Sequence, residues 1–262
     1  MNIELIPTLQ IQRELYEKPR DMARFKWYVA QMTDGNDADD RDVVVPIIAV
    51  NPMGKPHCLT AVNALIALEA EAIAERAACE TEQRLACVDA SARLCINLLD
   101  DAMGGWTNRY FTEAKLLMSS DYEQRSNKAR QFVVAGFWSS EVYTAERIKQ
   151  ETLMALYRYA WFQQHGLPRT LKEIMRMNGY TGKFANATEP RLLEGDLAYT
   201  HEVIQPHRNS TDLAVNFACM FGDAAARECG YAPMGLSARA GFALALDEAR
   251  KSDESPEEAL RK

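Results

Sequence analysis

The apolar positions of this 262-residue chain fall into two kinds of run. In the first kind they recur at helical spacing, as Met22, Phe25, Tyr28, Val29 and Met32 do between Asp21 and Met32. A shorter helix before it breaks at Lys18-Pro19, because the residue ahead of proline avoids the helical region. In the second kind the apolar residues are continuous. Val43-Val-Val-Pro-Ile-Ile-Ala-Val50, Arg93-Leu-Cys-Ile-Asn-Leu-Leu99 and Gln131-Phe-Val-Val-Ala-Gly-Phe-Trp138 read as three buried strands. Pro46 has no amide to donate, so the first of these belongs at an edge or starts late, near Ile47.

Helical periodicity fills the intervals, over about 60–82, 109–120 and 141–164, the last stopped by Gly166-Leu-Pro168. Further helices are expected over 169–177, part of 190–205, 210–228 and 236–250. Strand alternating with helix predicts an α/β fold. The sheet is small and mainly parallel, with three to four strands flanked by helices and additional N- and C-terminal helices. The expected organisation is an N-terminal helical segment and acidic linker over 1–42, an α/β core over 43–166, and a helical part over 167–262 packed on that core. No repeat of fixed period is visible.

In a parallel sheet, ligands bind beyond the carboxyl ends of the strands. The chemistry-bearing residues gather at those predicted ends. After the first run come Asn51, Lys55 and His57; Gly54 lets the backbone approach a ligand and Lys55 supplies charge. The segment is not a P-loop, since the leading glycine is missing and Pro56 follows the lysine. After the second run come Asp100 and Asp101, then Gly104-Gly105, Trp106, Asn108 and Arg109. Arg109 could clamp a carboxylate or phosphate with its planar fork, and Trp106 could wall a pocket. After the third come Trp138, Ser139, Ser140 and Glu141. Serine followed by an acid is also ordinary helix-starting chemistry, and no G-x-S-x-G elbow surrounds either serine.

These residues point to binding or conversion of a small anionic molecule, a carboxylate or phosphate. Asp100, Asp101, His57 and Glu141 would do acid/base work. Asn51, Lys55, Trp106, Asn108, Arg109, Trp138 and Ser139 would form the binding wall. Two rival readings stand beside it. One is a metal-dependent protein using some of His57, Asp101, His201, Glu202 and His207. The spacing His201 to His207, with Pro206 between, lacks the one-face geometry of the zinc-protease motif. The other is a non-catalytic interaction or assembly module.

Composition narrows the field. The net charge of −7 disfavours nucleic acid and anionic membrane as partners. A helix-turn-helix reading of 167–180 fails for want of a recognition helix after it. The acidic stretch 33–42 lacks the ligand order and closing glutamate of a calcium loop. No G-x-G-x-x-G fingerprint for a dinucleotide is present, so no cofactor is named. Six cysteines without a C-x-x-C pair suggest reduced thiols and a cytoplasmic setting, with Cys79, Cys95 and Cys219 packed among apolar residues. His165, in Gln-Gln-His-Gly, reads as part of a helix stop. Small residues over 224–226 and 238–245 suit close helix packing or a homo-oligomer face.

Overall fold

Three parallel strands organise the first part of the computed structural model, in the order β1 (Asn2–Leu5), β2 (Ser91–Leu99), β3 (Phe132–Trp138). Residues 1–33, 43–102, 107–119 and 131–261 are described. The chain divides into two units, Met1–Arg109 with Ser126–Leu156, and Tyr110–Arg125 with Tyr157–Lys262. The fold is α/β with a small sheet and a large helical excess, as the alternation of runs predicts.

In the first unit the helices are α1 (Leu9–Glu17), α2 (Met22–Met32), α3 (Pro56–Ala67) and α4 (Ala70–Arg84). Strand β2 is central and buried along nearly its whole length. Its partner β3 runs in register from Arg93 opposite Phe132 to Leu99 opposite Trp138. On the other side β1 pairs only as far as Leu5 opposite Leu94. Beyond that point a side chain continues the ladder: Gln12 Nε2 donates to the Ile96 carbonyl and Gln12 Oε1 accepts from the Leu98 amide, both at 2.8 Å. The fully buried Gln12 thus stands in for a peptide group, which meets the need of buried backbone for partners.

Two segments differ from what their sequence predicts. The run Val43–Val50 is not a strand. Only Val43 forms an isolated antiparallel bridge, to Thr33, and the rest is irregular. Its carbonyls are met by side chains instead of a ladder: Tyr28 Oη donates to the Ile47 carbonyl at 2.9 Å and Asn97 Nδ2 to the Pro46 carbonyl at 2.5 Å. Ile47 and Val50 are still fully buried, so the run is apolar because it packs, not because it pairs. The first strand is β1, whose four residues alternate between exposed and half-buried and give no apolar run. The second correction is the helix expected over 60–82. It is two helices bent by 54°, broken where Glu69 adopts a left-handed φ of 55°. No single helix among the described residues is long and apolar enough to cross a membrane.

The second unit is helical. The short α5 (Arg109–Ala114) opens it, followed by a π-helical turn over Lys115–Ser119. Helix α6 (Ala145–His165) carries the chain in from the first unit. Then come α7 (Leu171–Phe184), α8 (Glu194–Ile204), α9 (Leu213–Phe221), α10 (Asp223–Glu228), α11 (Ala240–Lys251) and α12 (Pro256–Ala259). Thr170 and Glu173 close a capping box at the start of α7. Phe217, Phe221 and Phe242 form a ring cluster in the core, with Phe217 stacked on Phe221 at 4.6 Å. Gly179 on α7 faces α11 so closely that a Cβ there would lie 2.3 Å from the Ala245 carbonyl oxygen. Cys95 and Cys219 are buried thiols as expected, but Cys79 is exposed on α4.

Candidate functional site

The register of β2 and β3 sets the site. Leu99 lies opposite Trp138, and the Ser139 amide donates to the Leu99 carbonyl at 2.9 Å. The next residue of each strand, Asp100 and Ser139, therefore emerges side by side at the carboxyl end of the sheet. Ser139 Oγ reaches Asp100 Oδ1 at 3.1 Å and Asp101 Oδ1 at 3.2 Å.

Asp100 is the centre of the cluster, with 2% exposure. Oδ1 accepts from His57 Nε2 at 2.8 Å, and Oδ2 accepts from Asn51 Nδ2 at 2.6 Å. The Ala102 amide adds a contact to Oδ1 at 3.2 Å. Burial alone would raise this carboxyl, but hydrogen bonds from His57, Asn51 and Ser139 outweigh it and hold Asp100 below the ordinary carboxylate range. A buried carboxylate is tolerated because both of its oxygens accept hydrogen bonds.

Asn51 comes from the loop between the irregular run and α3. Gly54 lets this loop lie close over the protein: a Cβ there would be 2.6 Å from Cys58 Sγ and 2.8 Å from the Tyr16 ring. Buried Arg24 holds the loop from below, donating to the Gly54 carbonyl at 3.1 Å with its guanidinium 5.0 Å from the Tyr16 ring centre. His57 and Cys58 follow in the first turn of α3. Cys58 Sγ is 3.4 Å from His57 Nε2 and fully buried. Burial and the nearby Asp100 charge push its thiol up to about 12. His57 Nδ1 is enclosed and has no hydrogen-bond partner among the described residues.

This geometry separates the cluster from a nucleophilic triad. A triad needs the nucleophile on one imidazole nitrogen and the orienting acid on the other. Here Cys58 and Asp100 both face Nε2, and Ser139 donates to Asp100.

A second layer lies beside the first. Asp101 Oδ2 accepts from Ser140 Oγ at 2.7 Å and from Arg109 Nη1 at 3.3 Å. Arg109 also donates to Glu141 Oε1 and stands 5.2 Å from the Trp138 ring centre. Helix α6 starts at Ala145, with Thr144 Oγ1 accepting from the Arg147 amide at 3.1 Å, so Ser139, Ser140 and Glu141 lie before it. The helix-starting role anticipated for the two serines belongs to Thr144.

Of the residues singled out in the sequence, Asn51, His57, Asp100, Asp101, Arg109, Trp138, Ser139 and Glu141 are brought into these two layers. Lys55 is exposed at the start of α3, and Asn108 is exposed. Trp106 and Gly104-Gly105 lie outside the described residues, as does the acidic stretch 34–42. His201 and Glu202 are exposed on α8, and His207 sits in the short 3-10 turn after it, all in the second unit. Among the described residues, one group of three possible metal ligands converges. It consists of His57, Cys58 and Asp100, whose donor atoms lie within 4.8 Å of one another. No pattern in the sequence gives Cys58, Tyr16 or Arg24 a role. A cysteine beside a histidine at a loop-to-helix junction was the only signal for the first.

A surface cavity of about 790 Å³ in the second unit is lined by Trp161, His165, Arg169, Glu173 and Arg176, with Glu254. Its polar groups serve the fold: Arg176 pairs with Glu254 at 3.1 Å, Glu173 closes the α7 capping box, and His165, the last residue of α6, meets the Ala259 carbonyl at 3.1 Å. No protein-family model, curated protein or solved structure matches the chain.

Proposed function

We propose that the protein binds and converts a small polar organic molecule at the carboxyl ends of β2 and β3, by acid–base chemistry centred on His57 and Asp100. The observation that supports this most is the pairing of His57 Nε2 with Asp100 Oδ1 at 2.8 Å, on a buried carboxylate already fixed by Asn51 and Ser139. An aspartate so fixed holds one imidazole tautomer, with the proton on Nε2. Nδ1 is then left as a basic lone pair enclosed in the protein without a partner among the described residues. An unanswered buried acceptor is costly unless a ligand or proton meets it.

The charge of the lining bears on the substrate class. Three carboxylates, Asp100, Asp101 and Glu141, gather at the strand ends, and the Arg109 guanidinium is already engaged by Asp101 and Glu141. An anionic ligand therefore binds only by displacing Asp101 or Glu141 from Arg109, whereas amine and hydroxyl groups meet a lining that suits them. In this reading the protein is cytoplasmic and acts without nucleic acid or membrane.

A thermal-shift panel of small amines, polyols, carboxylates and phosphates tests the proposal. A ligand at 100 times its dissociation constant stabilises the folded state by about 2.7 kcal/mol. The expected result is a shift with an amine or polyol that disappears in His57→Gln. A shift confined to carboxylates or phosphates and lost in Arg109→Ala would restore the anionic substrate class. No shift across the panel would count against a small-molecule site.

A further inference from the structure

We infer that His57 Nε2, Cys58 Sγ and the Asp100 carboxylate hold a divalent transition-metal ion of the zinc class. The inference rests on the strand-end site proposed above and changes what carries the proton there. Zinc bonds of about 2.0–2.3 Å in a tetrahedron place neighbouring ligand atoms about 3.3–3.6 Å apart. The His57 Nε2 to Cys58 Sγ separation is 3.4 Å, already that edge. The His57 to Asp100 separation of 2.8 Å must open by about 0.5 Å to reach the same geometry.

The supports are stiff. His57 and Cys58 are consecutive in the first turn of α3, and Asp100 directly follows the central strand. Asn51, Ser139 and the Ala102 amide grip Asp100 from outside the triad, as a supporting shell that orients a ligand does. Cys58 and Asp100 are closed off from solvent while the His57 side chain keeps 18% exposure. Three protein ligands with one open side is the arrangement of a catalytic ion, not of a closed structural one. The donor set also selects the metal. Thiolate and imidazole suit zinc or cobalt, whereas magnesium and calcium take oxygen donors almost alone.

The protons balance. In the ion-free chain Nε2–H donates to Asp100 and Cys58 is a thiol. On loading, the Nε2 proton is replaced by the ion, the imidazole stays neutral with a proton on Nδ1, and the thiol proton leaves. One proton is released per divalent ion bound, and the three ligands then carry two negative charges. The ion supplies a bound water that ionises near neutral pH, and that water takes the acid–base role that His57 has in the ion-free chain.

The test uses the full chain without an affinity tag, stripped with chelator and titrated with cobalt(II). The expected result is saturation at one ion per chain with a near-ultraviolet thiolate-to-cobalt band. That band should vanish in Cys58→Ser and persist in His201→Gln and His207→Gln. Should Cys58→Ser fail to fold, cadmium NMR of the unaltered chain reads the same point, since a thiolate ligand moves the resonance downfield of an all-nitrogen-and-oxygen site. No saturable binding, or a band that survives Cys58→Ser, overturns the metal site. A small-molecule shift lost in His57→Gln without any cobalt band would overturn the metal and leave the acid–base reading. Cobalt binding with no small-molecule response would do the reverse.

Discussion

The strand ends of the first unit and the helical interior of the second solve burial in opposite ways. At the strand ends polar groups are buried against one another: Asp100 at 2% exposure holds His57, Asn51 and Ser139. In the second unit, apolar rings and bare backbone do the filling, with Phe217 on Phe221 and Gly179 against Ala245. The first arrangement is costly to assemble and specifies positions of charge and protons. The second is non-directional and specifies only shape. Substitutions should therefore fail differently in the two places, through chemistry in one and through packing in the other.

The largest effect is expected at Gly179. Gly179→Val pushes a branched side chain onto the Ala245 backbone, where even a Cβ would sit at 2.3 Å, and should destabilise by about 3 kcal/mol. Denaturant unfolding measures it, and the protein that stays folded should bind cobalt as before. Asp100→Asn comes next, at about 2 kcal/mol, because its new amide faces the Asn51 amide or leaves His57 without an acceptor. Its signature is loss of the strand-end ligand and cobalt responses while the chain remains folded. If Gly179→Val abolished those responses in folded protein, or Asp100→Asn spared them, the contrast between the two regions would be wrong.

Smaller effects sharpen the same contrast. Thr170→Ala removes the capping box of α7 and should cost about 1 kcal/mol with no change in ligand response. The least effect is a pH dependence at Asp223 in the second unit. Burial would raise this carboxyl, but the amides of Leu236 and Met234 and the Arg227 charge outweigh it and hold it low. Stability from a depressed carboxylate is present above its unfolded pKa and lost as pH falls through the folded one. Asp223→Asn should therefore flatten part of the acid limb of the unfolding profile, and an unchanged limb would remove Asp223 from that role.

Much of this could be read from the chain because strong periodicities decide elements. β2 and β3 were legible as continuous apolar runs, and with them the neighbouring strand ends that bring Asp100, Asp101 and Ser139 together. The Val43–Val50 run misled for a physical reason: an apolar segment needs burial, and Tyr28 and Asn97 meet its carbonyls without a ladder. Strand β1 was hidden because a short, half-exposed edge segment carries no apolar signal. Even so, Asn51 and His57 reach the site, since the loop after the run and the first turn of α3 deliver them, not a strand. Cys58 could not have been assigned from spacing. Its neighbour relation to Asp100 is made across 41 intervening residues by the fold alone. Arg109 was legible as a strand-end cation but not as one already held by Asp101 and Glu141.

The central claim is that Asp100 fixes His57 in a single state at the strand ends. Long-range nitrogen–proton NMR of the histidine side chains, on chelator-treated protein at neutral pH, addresses it directly. The account predicts a His57 proton held on Nε2 against Asp100, giving way to a mixture of tautomers in Asp100→Ala. A proton on Nδ1 in the unaltered chain, or a tautomer indifferent to Asp100→Ala, would contradict it.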